Sequence, residues 1–199
     1  MKSKELADKV FERMKSFDPN EIMPKLKLAN EGAIQDYLND KTCANYQFMT
    51  CLVDIVKPSQ IVELGGAMGV GTICLYHHLP ENSHLYSITL PEGGLQFSYI
   101  QQPIPKNMYL VEGDDLKLSN WPKDCYLSRT DLWYFDSLHT FAHLKAELEL
   151  YSKYFKKGVI LMFDDIRMNE LWPIWRDLPY DKVELTKPLH YSGWGLATV

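Results

Sequence analysis

Ile61-Val62-Glu63-Leu64-Gly65-Gly66-Ala67-Met68-Gly69-Val70-Gly71-Thr72 joins an apolar segment to a glycine-rich one and then to a helix-forming one. Ile61–Leu64 has the length and composition of a buried strand, and a helix is expected from about Gly69 to Leu79. Glycines between them let backbone approach a ligand closely, and the helix start supplies N–H groups with no partner in the helix. In open α/β sheets ligands sit at the carboxyl ends of strands. A glycine-rich tight turn with no ligand is the alternative; the strand–loop–helix context favours a ligand.

Working outward, residues 1–58 read as helical. Leu6, Val10 and Met14 form one apolar stripe and Phe48, Leu52 and Ile55 a second, which Lys57-Pro58 ends. Between them, Glu21 to Asp40 reads as two short helices split by Asn30-Glu31-Gly32. Downstream, strands are expected at His84–Leu90, Met108–Glu112, Asp131–Phe135 and Val159–Phe163, with a strong helix from Thr140 to Phe155. Apolar strands alternating with helices predict a doubly wound, mostly parallel sheet. Lys182–Thr186 and Tyr191–Val199 are also strand-like, and the gap between them is too short for a parallel crossover, so the last strand should run antiparallel. The whole chain, 1–199, is expected to be one α/β domain of seven strands: a helical N-terminal cover over 1–58 and a core over 59–199.

Composition narrows the function. Net charge is −5, and no run of Lys or Arg exceeds two residues, which argues against nucleic acid as a partner. No apolar run approaches the roughly 20 residues that span a bilayer, and Met1-Lys2-Ser3-Lys4-Glu5 leads into an amphipathic segment rather than a secretory leader. Cys43, Cys51, Cys74 and Cys125 show no CxxC spacing and have mostly apolar neighbours. They read as reduced, buried cysteines, and the chain is expected in the cytoplasm.

The ligand class follows from a missing residue. A dinucleotide loop needs G-x-G-x-x-G, but Gly69-Val70-Gly71-Thr72-Ile73-Cys74 lacks the third glycine. Acid-x-G-x-x-x-G-x-G-Thr instead resembles the first motif of class I S-adenosylmethionine-dependent methyltransferases. The resemblance implies that Gly65, Gly66, Ala67, Gly69, Gly71 and Thr72 wrap the methionine part of the cofactor and that Glu63 anchors its ammonium group. It also implies that an acid after the third strand, here Asp114, accepts from the adenine amino group; Asp114 is equally a good helix N-cap. The acid that usually holds the ribose at the second strand's end is replaced by Thr89, so either Thr89 makes a single contact or Glu92 reaches back.

Asp136 ends the fourth strand, and Asp164 and Asp165 the fifth. Acids converging there repel one another unless a cation joins them, and a hard divalent ion such as Mg²⁺ suits oxygen ligands. Phe135-Asp136-Ser137-Leu138-His139-Thr140 and Phe163-Asp164-Asp165 are similar to small-molecule O-methyltransferases of the catechol and caffeoyl-CoA type and related groups. In the metal-dependent members the matching acids bind the metal, which implies Asp136, Asp164 and Asp165 here; capping or simple adjacency to the cofactor is the alternative. Asp136 would also lie against the cofactor. His139, with an ordinary pKa near ~6.5, suits a general base, or it bonds a neighbouring carboxylate. Trp172, Trp175 and Trp194 either wall an acceptor pocket or fill the core.

The resulting expectation is methyl transfer from S-adenosylmethionine to a hydroxyl of a small molecule, with a divalent metal assisting. Family analogy adds that the N-terminal helices cover the cofactor or join two copies as a homodimer. An NAD(P)-dependent reductase and a non-catalytic binding module are the alternatives.

Overall fold

A computed structural model describes residues 1–22, 26–40, 42, 44–91 and 96–199. Seven strands form one sheet: β1 (Gln60–Leu64), β2 (His84–Thr89), β3 (Met108–Glu112), β4 (Leu132–Phe135), β5 (Ile160–Asp164), β6 (Asp181–Glu184) and β7 (Trp194–Thr198). Their order is β3-β2-β1-β4-β5-β7-β6. β1 pairs parallel with β2 and β4, and β7 runs antiparallel to both neighbours, as the short final connection predicts. The chain fills the sheet in one direction from β1 to β3 and in the other from β4, so β1 and β4 flank the switch point where such sheets form their crevice.

The helices are α1 (Ser3–Met14), α2 (Glu31–Asn39), α3 (Asn45–Val56), α4 (Val70–His77), α5 (Phe141–Tyr151), α6 (Trp172–Asp177) and α7 (Thr186–Leu189). They cover both faces. Val62, Leu64, Trp133, Phe135, Leu161 and Phe163 fill one face with α5 and α6, while Ile61, Leu132, Tyr134, Met162 and Leu196 face α1, α3 and α4. Burial on both faces is why these strands are apolar throughout. Phe135 and Phe163 stack at 4.7 Å between ring centres. Trp175 and Trp194 are buried core residues, whereas Trp172 is half-buried beneath the Arg167 guanidinium. The core reading therefore holds for Trp175 and Trp194.

One N-terminal expectation is corrected. Asn30-Glu31-Gly32 starts a helix rather than dividing two: Asn30 is the N-cap of α2, its side chain accepting from Ala33 N at 3.1 Å. The described residues just upstream are not helical. Leu28 bridges Ile100, with Ala29 N donating to Tyr99 O and Gln101 N to Lys27 O. Asparagine caps satisfy helix N–H groups well, and pairing with a second segment outweighs weak helix propensity over so few residues.

Leu6 and Val10 of α1 and Phe48 and Leu52 of α3 are buried within the chain itself, and Met14 and Ile55 of the same stripes are partly buried against that core. Cys51, Cys74 and Cys125 are free thiols; Cys43 lies outside the described residues. Among the described residues no helix is long and apolar enough to cross a membrane.

Candidate active site

The glycine loop is shaped by contact between segments. Gly65 has φ +97°, and a β-carbon there would stand 1.9 Å from the carbonyl oxygen of Asp136. Only a glycine lets the exits of β1 and β4 approach so closely. Gly65 N and Gly66 N both donate to Ile88 O, tying the loop to β2 as well. Ala67 N donates to Thr89 Oγ1 at 3.2 Å. Phe97 N and Tyr99 N then donate to Ala67 O and Met68 O, so a segment beyond β2 clamps the loop from outside.

A cavity of about 370 Å³ opens beside the loop, lined by Gly65, Ala67 and Met68, by Ile88, Thr89 and Leu90, by Gln96 and Asp115, and by Asp136, Ser137 and Leu138. That volume suits a small molecule or cofactor fragment. Of the expected contacts, Gly65, Ala67, Thr89 and Asp136 line it. Gly66, Gly69, Gly71 and Thr72 do not; they support the loop from behind. Among the described residues, those that line the cavity all lie between Gly65 and Leu138.

Two acids also depart from expectation. Glu63 is buried under the loop, where Oε2 accepts from Thr72 Oγ1 and Ser87 Oγ, each at 2.5 Å. Burial pushes its carboxyl up to about 7. It braces the loop from below and does not line the cavity. Asp114 turns away: Oδ1 accepts from Leu116 N at 3.0 Å and Oδ2 lies 3.3 Å from Lys117 Nζ. The next residue, Asp115, lines the cavity instead. Glu92 lies outside the described residues.

The three acids of the fourth and fifth strands do share one edge. His139 joins two of them, with Nε2 3.0 Å from Asp136 Oδ1 and Nδ1 3.1 Å from Asp165 Oδ2. A neutral imidazole donates from only one nitrogen, so both contacts become donor hydrogen bonds when the ring is protonated. Burial, then the charges of Glu63 and Asp165, push Asp136 up to about 8. Asp164 is raised well above the carboxylate range, by burial and then by Asp136 and Asp165. Asp165 sits lower than usual despite its burial, because His190 and Ser192 hydrogen-bond to it and His139 adds its charge. His190 is raised in return, chiefly by that bond to Asp165.

Asp136, His139 and Asp164 offer donor atoms within 4.8 Å of one another, and Asp164 Oδ1 is buried without a hydrogen-bond partner. An orphaned carboxylate oxygen beside a second raised acid fits a hard divalent cation. Asp165 fits less well, since Oδ1 accepts from Ser192 Oγ and its backbone is left-handed at φ 54°.

Sequence reasoning missed several polar residues. His190 and Ser192 reach Asp165 from the turn before β7, and no spacing signals it. Ser137 donates to Glu147 Oε1 at 2.6 Å. His143 and Glu147, one helical turn apart on α5, meet Asp115 in a second buried cluster. Their i, i+4 spacing was the one available clue.

The sequence model of the methyltransferase domain family matches residues 62–166, more than half of the chain, running from within β1 to just past β5. No curated relative matches in sequence. The fold is similar to that of a protein assigned as a caffeoyl-CoA O-methyltransferase from Staphylococcus aureus (13% identity, 98% of each chain covered, TM-score 0.64). It is also similar to one assigned as an O-methyltransferase from Klebsiella pneumoniae (18%, 99% of this chain and 98% of that one, 0.59). An O-methyltransferase from Bacillus cereus, solved in complex with SAH, gives 14% identity, 98% and 91% coverage and a TM-score of 0.58. Sheet order, reversed last strand, glycine loop and family match agree, and the chain belongs to the methyltransferase domain family.

Proposed function

We propose that this protein transfers the methyl group of S-adenosylmethionine to a hydroxyl of a small molecule, with a divalent cation, Mg²⁺ in the simplest case, held by Asp136 and Asp164. One observation carries the reading. Asp136 lines the cavity beside the glycine loop and, through Oδ1, also contacts His139 at the acid edge. Methyl donor and acceptor would therefore meet at the end of β4.

The cofactor supplies an electrophilic methyl on a sulfonium, and the cation would lower the acceptor's pKa. The remaining work belongs to the chain. Gly65, Ala67 and Thr89 bind one reactant along the loop. Asp115 lines the cavity where the resemblance placed Asp114. Leu138 adds an apolar side chain to the cavity wall. As the acceptor oxygen forms its bond to carbon, the carbon–sulfur bond breaks and its electron pair returns to sulfur. The acceptor's proton passes to His139, which Asp136 and Asp165 orient. Holding the reactants in line supplies ~7–11 kcal/mol of the barrier in well-aligned systems. A reducing cytoplasm suits the free thiols, and the acidic chain suits a small-molecule substrate rather than nucleic acid.

Calorimetry with S-adenosylhomocysteine tests the proposal. Binding at micromolar concentration is expected. With an accepted hydroxyl substrate, Asp164→Asn should weaken Mg²⁺ dependence, and His139→Gln should lower turnover by about 10²–10⁴-fold. No binding at millimolar ligand would leave a non-catalytic module as the better reading.

A further inference from the structure

We propose that Asp115, His143 and Glu147 form a second cation site, suited to a borderline divalent ion such as Zn²⁺, which opens onto the cavity and is separate from the Asp136–Asp164 edge. α5 carries His143 and Glu147 on one face, one turn apart, and the loop after β3 brings Asp115 against them. His143 Nε2 lies 3.1 Å from each Asp115 carboxylate oxygen and 3.6 Å from Glu147 Oε1. The three residues present donor atoms within 4.8 Å of one another. Tetrahedral ligation at about 2.0–2.2 Å per ligand requires donors about 3.3–3.6 Å apart, which the two His143 contacts match to within a few tenths of an ångström.

The surroundings also suit an ion. The side chains are 5%, 11% and 1% exposed for Asp115, His143 and Glu147. Among the described residues neither acid pairs with a lysine or arginine, and His143 is the basic group that faces both. Independently, Asp115 Oδ1 is buried and accepts no hydrogen bond although Asp115 lines the cavity. Ser137 Oγ donates to Glu147 Oε1 and the Tyr151 hydroxyl to the Asp115 backbone carbonyl, which fixes the loop after β3 against α5. One imidazole and two carboxylates favour zinc-like ions over soft ones. Three protein ligands leave a fourth position, on the side where Asp115 meets the cavity.

The test is a Zn²⁺ titration of the chelator-stripped full chain against a chromophoric chelator, with circular dichroism to verify folding. Wild type should take up one equivalent at submicromolar affinity and melt at a higher temperature when loaded. His143→Ala and Glu147→Gln should each weaken that equivalent at least tenfold, while Asp164→Asn should retain it. Glu147→Gln preserves side-chain shape, so it decides the question if His143→Ala fails to fold. Absence of the equivalent in wild type, equal affinity in wild type and Glu147→Gln, or loss only in Asp164→Asn would each overturn the site. These readouts do not depend on methyl transfer or on S-adenosylhomocysteine binding.

Discussion

The carbonyl oxygen of Asp136 occupies the place where a β-carbon on Gly65 would stand, 1.9 Å away. That carbonyl cannot readily give way, because Asp136 N donates to Leu64 O in the same pair of strand ends. Gly65→Ala should therefore cost at least about 2 kcal/mol, combining a left-handed backbone with a backbone clash. Gly158 is the control: its φ is +88°, but nothing lies within 4 Å of an added β-carbon. Gly158→Ala should cost only about 1–2 kcal/mol. Urea unfolding midpoints of the two variants check the contrast.

Glu63 gives a pH dependence of known sign. Its carboxyl moves from an ordinary 4.5 up to about 7 on folding, because it is buried. The protonated acid is the form the fold prefers. Its stabilising contribution is intact below pH 4.5 and is lost as pH rises through 7, a change of roughly 3 kcal/mol at most. Glu63→Gln stays neutral and still meets Thr72 and Ser87. Wild type should lose stability relative to this variant between pH 4.5 and 7 in thermal melts.

How much of this was visible in the sequence depends on what sets each residue's position. The strands were legible because a sheet covered on both faces demands continuous apolar runs, as in Ile160–Phe163. The reversed β7 was legible because chain length forbids a crossover. The choice between Asp114 and Asp115 was not, since a local hydrogen bond to Leu116 N decides which of two adjacent acids turns inward. Nor were His190 and Ser192, whose contacts with Asp165 depend on how the last turn packs. Glu63 was recognised as special, but its place beneath the loop follows from Thr72 and Ser87, which no motif joins to it in advance.

Thr89 has a measurable role through Ala67. Its hydroxyl accepts from Ala67 N and holds one wall of the cavity. Thr89→Val removes that acceptor while keeping the side chain's shape. A hydrogen bond of this kind contributes about 0.5–1.5 kcal/mol net, so S-adenosylhomocysteine should bind about 2–10-fold more weakly in calorimetry. Unchanged affinity would mean that the loop keeps its shape without Thr89.

The pairing of Asp165 with His190 and Ser192 also constrains biosynthesis. During translation the acids of β5 leave the ribosome before the residues that hold Asp165, and before β7 can insert beside β5. Ser3, made earlier, must wait for β6 and β7, because its hydroxyl contacts Asp181 O and Thr198 Oγ1. The acid edge is thus completed only once His190 and Ser192 have been made, and a nascent chain halted short of residue 190 would carry Asp165 without the partners that hold it in place.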